Sequence, residues 1–189
     1  KLMKDGAAVD TKTVALSQAA KSSEPSGDEK TLTMSFADIK AGGSEMPVNS
    51  YGSQDVATSS TWYNWTFGGL NFTGAKICEA NATDYVGTLQ MQGNASDAKK
   101  QGFFGNVDDL GKITKIVVVS KNTKYAPTEH LYMGTEANPA GNAQTSTVEQ
   151  DGQIYTETFE IDGDYGFFKL HNDKQGAFYV QSISITYKK

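Results

Sequence analysis

Few residues in this chain are equipped for covalent chemistry. There are two histidines, His130 and His171, and a single cysteine, Cys78. His130 follows Glu129 in a strand-like stretch, and His171 precedes an Asn172-Asp173 turn. A nucleophilic triad needs nucleophile, base and orienting group to converge, and no nucleophile elbow or comparable motif accompanies either histidine. Both read as surface residues. Glycoside hydrolysis needs only two carboxylates. The nearest pairs, Asp108-Asp109 close to Gly111 and Asp162-Gly163-Asp164 around Gly163, read as turn acids. The expectation is a protein that is not an enzyme.

Metal chemistry is thinly supported as well. Asp162 and Asp164 could offer hard oxygen ligands to a structural Ca²⁺, although the spacing of an EF-hand loop is absent. One cysteine and two separated histidines do not make a Zn²⁺ set. Cys78, directly after Ile77, reads as a buried strand thiol. No other cofactor is expected.

Carbohydrate recognition fits better. Sugar C–H faces stack on Trp and Tyr rings, while Asn, Asp and Gln bind hydroxyl groups. Trp62, with Asn64 and Asn71 near it, has that chemistry. Tyr51, Tyr125 and Tyr165 lie in Gly/Asp/Asn-rich connections and are further ligand-binding candidates. The competing reading is that Trp62 packs under a neighbouring loop, since large aromatic side chains are mostly buried.

What would position these residues is a set of short strands. In Thr61 to Gly74 (TWYNWTFGGLNFTG), Gly68-Gly69 makes a two-residue hairpin loop, because both central positions of such a turn take positive φ. That turn pairs Phe67 with Leu70 and Trp65 with Phe72. Tyr63, Trp65, Phe67, Leu70 and Phe72 then share the core face. Trp62, Asn64, Thr66, Asn71 and Thr73 share the other.

Further strand signals follow in TLTMSFADI, TLQMQ, KITKIVVVS, EHLYMG and QIYTETFEI. The run Ile116 to Val119 suits a strand covered on both faces. In the closing segment, Phe178 and Val180 have one parity and Ile183, Ile185 and Tyr187 the other. A strand cannot change face without an extra residue, so a β-bulge is placed near Gln181-Ser182. No stretch holds a 3.6-residue period. Eight to ten such strands predict an all-β chain, an antiparallel β-sandwich of jelly-roll-like form.

Bulk composition agrees. The 189 residues suit one large domain, and nine Phe, nine Tyr and two Trp supply enough area to close a core. All 17 basic residues are Lys, and the net charge is −5. Without Arg, bidentate reading of guanine is lost, and negative charge opposes phosphate backbones and anionic membranes. Nucleic acid is therefore not an expected partner. No apolar run reaches the length of a membrane span, so direct membrane insertion is not expected either. One cysteine excludes an intrachain disulfide. The start at Lys1 rather than Met reads as a mature or trimmed form. Residues 1–30 contain no aromatic residue, and Ser22 to Lys30 has linker composition. The division is a linker over 1–30 and a sandwich domain over 31–189.

Three segments together carry a resemblance: TLTMSFADI, the pair KITKIVVVS and LYMGTEANP, and the closing GFFKLHN with GAFYVQSISITY. They resemble the C-terminal β-sandwich domains of exported Bacteroidetes surface proteins. Phe167, Phe168 and Leu170 match the hairpin of those domains, and Tyr179, Ile183, Ile185, Thr186 and Tyr187 match their final strand. TKTVALSQAAK also looks like the last strand of an immunoglobulin-like module of the kind that precedes them. The resemblance implies a galactose-binding-like or carbohydrate-binding-like sandwich on a lipoprotein or adhesin. The expected place is the extracellular or outer-membrane surface, with a glycan or a surface protein as partner. It transfers no site residues. The expected function is a non-catalytic module that binds carbohydrate. The alternative is a structural or adhesive spacer, or an assembly domain, with no small-molecule ligand.

Overall fold

The structure, a computed structural model, describes residues 27–37, 51–122, 127 and 129–189, and the backbone of 3–4 and 7–8. Strands β1 (Met3–Lys4) and β2 (Ala7–Ala8) pair only with each other. Otherwise residues 1–26 lie outside the described residues, and with them the proposed end of an immunoglobulin-like module.

Twelve further strands build the sandwich: β3 (Glu29–Ser35), β4 (Tyr63–Phe67), β5 (Leu70–Ala75), β6 (Ile77–Glu79), β7 (Leu89–Met91), β8 (Phe103–Asn106), β9 (Lys112–Lys121), β10 (His130–Gly134), β11 (Thr147–Asp151), β12 (Ile154–Glu160), β13 (Phe167–His171) and β14 (Phe178–Lys188). One sheet runs β10-β13-β8-β5-β4. The other runs β11-β12-β9-β14-β7-β6, with β3 also on β14. Every pairing is antiparallel. The two sheets pack face to face, and the chain is all-β as its alternating pattern predicts. The helical turns near the site are short 3-10 turns, such as Ser59–Thr61 just before β4.

The core lies between the sheets. Phe72, Phe104, Phe168 and Leu170 come from one side, and Met91, Ile116, Val118, Phe159, Ile183 and Ile185 from the other. Their rings interlock: Phe104 meets Phe36 and Phe168 edge-on at 6.0 Å each, and Trp65 stacks on Phe72 at 5.8 Å. Offset and edge-on arrangements are the favourable ones for aromatic pairs.

The β4–β5 hairpin has the expected register, Phe67 opposite Leu70 and Trp65 opposite Phe72. Gly68 and Gly69 turn it at φ of 59° and 78°. Of its core face, Trp65 and Phe72 are buried, and Tyr63, Phe67 and Leu70 pack half-buried at the margin. The bulge in β14 also falls where parity puts it, between Val180 and Ser182. A second irregularity faces it: Thr186 pairs with Lys115 but Tyr187 with Ile113, so β9 carries an extra residue at Thr114. That explains why Ile113 and Ile116 both point inward.

The run Ile116 to Val119 departs from expectation. Ile116 and Val118 are fully buried, whereas Val117 and Val119 are only half-buried. Their outer face is bordered by Thr156, Thr158 and Ser184, whose small side chains half-cover it. Shielding by β-branched and hydroxyl neighbours replaces the second packed layer.

Candidate functional site

The outer face of the five-stranded sheet gathers a set of chemically capable side chains. It arises because alternate residues of β10 and β13, Leu131 and Met133, and Phe168 and Leu170, are committed to the core. The intervening residues must face outward. Register then lays them in two rows. His130 faces His171, which faces Phe103, which faces Ala75. Tyr132 faces Lys169, which faces Gly105, then Thr73, then Asn64. Gly105 leaves the middle of the second row without a side chain. Its backbone lies so close to β13 that a Cβ would meet the Phe168 carbonyl oxygen at 2.2 Å.

Lys169 sits between two rings, its Nζ 5.7 Å from the centroid of Phe103 and 5.6 Å from that of Tyr132. Those contacts have cation–π geometry. Among the described residues its ammonium group has no hydrogen-bond or ion-pair partner. Burial accordingly pulls its pKa below the usual lysine range. Burial, then the Lys169 charge, pushes the His171 imidazole below its ordinary 6.5, so the ring is neutral at pH 7. His171 Nδ1 is buried and has no hydrogen-bond partner among the described residues. The rings of His130 and His171 lie 5.8 and 5.9 Å from that of Tyr132. Burial, and then the Asp173 carboxylate, raises the pKa of the Tyr132 hydroxyl.

Asp173 closes one end of the site. Its Oδ2 lies 3.3 Å from His130 Nε2 and its Oδ1 3.3 Å from Lys174 Nζ. The two histidines, expected to lie apart on the surface, are thus half-buried and adjacent. Even so, no three His, Cys, Asp or Glu side chains among the described residues converge closely enough to hold a metal ion.

Trp62 continues the first row beyond Ala75, on the outer face as its parity requires. It is not an open ring platform. Its Nε1 donates to the carbonyl oxygens of Asp55 and Val56, at 3.1 Å each, and its ring meets Phe103 edge-on at 4.9 Å. The loop before β4 comes over it, tied down at its far end by Gln54, whose amide exchanges two hydrogen bonds with the backbone of Ile77. This is the loop-packed arrangement, and with Lys169 it leaves Phe103 only 3% exposed.

Asn64 and Asn71 share the outer face with Trp62 but line a separate shallow groove of about 320 Å³, together with Thr66 and Val107. Asn71 is held internally. Its Oδ1 accepts from Thr66 Oγ1 at 2.8 Å, and its backbone N–H donates to Asp108 Oδ2 at 2.7 Å.

The tyrosine candidates scatter. Tyr51 lies over the other sheet, where its hydroxyl accepts from Gln90 Nε2 at 3.0 Å. Nearby, Tyr179 stacks on Tyr85 at 3.8 Å, and Lys121 Nζ donates to the Asp84 carbonyl. Tyr165 packs on the core. Tyr125 lies outside the described residues. Asp162 is exposed, and Asp164 pairs with Lys112 at 3.3 Å with its side chain 72% exposed.

Residue reading passed over Tyr132, Lys169 and the pairing of His130 with His171. A signal existed: His130/Tyr132 and Lys169/His171 are both i, i+2 pairs on strands whose alternate positions are apolar. What it lacked was any indication that β10 and β13 are neighbours. No protein-family model, curated protein or solved structure matches this chain.

Proposed function

We propose that the protein is a non-catalytic carbohydrate-binding module whose ligand lies on the outer face of the five-stranded sheet, across Tyr132, Lys169 and His171. The observation that carries this is a half-exposed aromatic ring, Tyr132, beside Lys169 Nζ, which has no hydrogen-bond or ion-pair partner among the described residues. Small-ligand sites combine apolar surface with a few convergent polar groups in this way. On the opposite face, Tyr51, Lys121, Tyr85 and Tyr179 are engaged with Gln90, with Asp84 or with each other. The reading extends to an exported surface protein. That extension rests on the likeness of the closing strands to Bacteroidetes surface domains.

A glycan array followed by isothermal titration tests the function. Tyr132→Ala should weaken the best ligand at least about tenfold, the scale of one lost aromatic contact, with the melting transition nearly unchanged. Unaltered affinity in that variant would move the site elsewhere. If no glycan binds, the assembly reading takes over, supported by edge strand β11, whose five residues are all exposed and include Val148 at 50%.

A further inference from the structure

We infer that the ligand is an acidic saccharide, and that a sugar carboxylate completes the ion pair Lys169 lacks. This rests on the carbohydrate reading and narrows it. A half-buried ammonium without an anion is costly to hold, and proteins ordinarily pair such a group or leave it in water. Here Phe103 and Tyr132 strip part of its hydration, yet no carboxylate among the described residues reaches it. Asp173, the acid recorded beside this cluster among the described residues, lies 3.3 Å from both His130 Nε2 and Lys174 Nζ and does not pair with Lys169. A neutral sugar would stack on Tyr132, but it would leave the charge unmatched. A hexuronate supplies both elements: a C–H face for the ring and a carboxylate for the ammonium. The chain's net charge of −5 would repel a polyanion in general, so binding of one would report this local site.

The test uses the whole chain in affinity electrophoresis and isothermal titration. Probes are polygalacturonate and alginate, their methyl-esterified forms, and neutral galactan and dextran. The uronates should bind at least about tenfold more tightly than the esters, the scale of one charge-assisted hydrogen bond. Lys169→Gln should erase that preference, and Lys169→Arg should keep it. Should Lys169→Gln fail to fold, the comparison of acid with ester on the unaltered chain still decides. Equal affinity for acid and ester, or a preference that survives in Lys169→Gln, overturns the inference while leaving a neutral-sugar module standing. Binding to none of the probes and to no glycan on the array overturns both.

Discussion

At the scale of single residues, Trp62 shows what parity can and cannot tell. Alternation with Tyr63 and Trp65 puts it outside the core, and it is outside. Nothing periodic announces that Asp55 and Val56 will arch over it and accept its N–H. Trp62→Ala should therefore cost about 2 kcal/mol in denaturant melts, roughly half of a fully buried aromatic truncation. A loss under about 0.5 kcal/mol, the scale of surface changes, would mean the loop does not depend on it.

Cys78 was legible as a buried thiol, and it is 5% exposed. Burial, and then the Glu79 charge, lifts its pKa from 9.0 to about 11. Since the thiolate is the nucleophile, labelling by iodoacetamide at pH 8 should run roughly a hundredfold slower than in denaturant. Rapid labelling of the folded chain would contradict the burial.

His171 gives a pH dependence with a definite sign. Its folded pKa lies below the ordinary 6.5, so the unfolded chain binds the proton first as pH falls. Its contribution to stability is full above 6.5 and declines as pH drops from there through the folded value. Melting temperature should fall on acidification from pH 7 to 5, and His171→Gln should flatten that part of the profile. An identical slope in the variant would assign the effect to other groups.

At the scale of elements, what was readable was local. The Gly68-Gly69 turn fixes the β4–β5 register from two adjacent residues, and a parity change inside one strand locates the β14 bulge. The β9 irregularity was hidden, because Ile113 and Ile116 are separated by polar residues that look like ordinary alternation with one slip. The β10–β13 pairing was not legible for a different reason. Two chain-distant strands meet through the shape of the whole core, and neither encodes the other's position. The candidate site lies across that seam, so its members were visible one at a time and their union was not.

The hairpin turn gives a direct check on the legible part. At Gly68, φ is 59° and an added Cβ would meet Leu32 Cδ1 at 2.5 Å. Gly68→Ala should cost about 1–2 kcal/mol from the left-handed backbone alone. An unchanged denaturation midpoint would show that the turn relaxes freely.

At the scale of the whole molecule, the boundary between linker and domain was placed at Thr31, two residues inside β3. The strand matters because it delivers Met34 and Phe36, both fully buried, to the inter-sheet core. A chain beginning at Gly27 should melt in one cooperative transition. One beginning at residue 38 loses both side chains, a loss of more than about 5 kcal/mol against a total stability of that order. It should fail to fold as judged by near-ultraviolet circular dichroism. A cooperative melt from the shorter chain would show that β3 is dispensable.

The placement of β14 has a kinetic consequence. It pairs with β9 along one edge and with β7 and then β3 along the other, and every one of those partners precedes it in the chain. The pairing of Lys188 with Glu29 closes a loop across nearly the whole domain. The β9–β12 ladder can form without it, but neither ladder that joins β9 to β7 and β3 through β14 can be completed until the segment to Lys188 is available, so the entropy of long loop closure must be met before the two halves of the larger sheet are joined. A chain organised this way belongs with the slow all-β folders, on a timescale of about milliseconds to seconds. Until then the apolar edge of β9 stays open to unwanted partners. The residues that finish the fold are also the ones that end its exposure to aggregation.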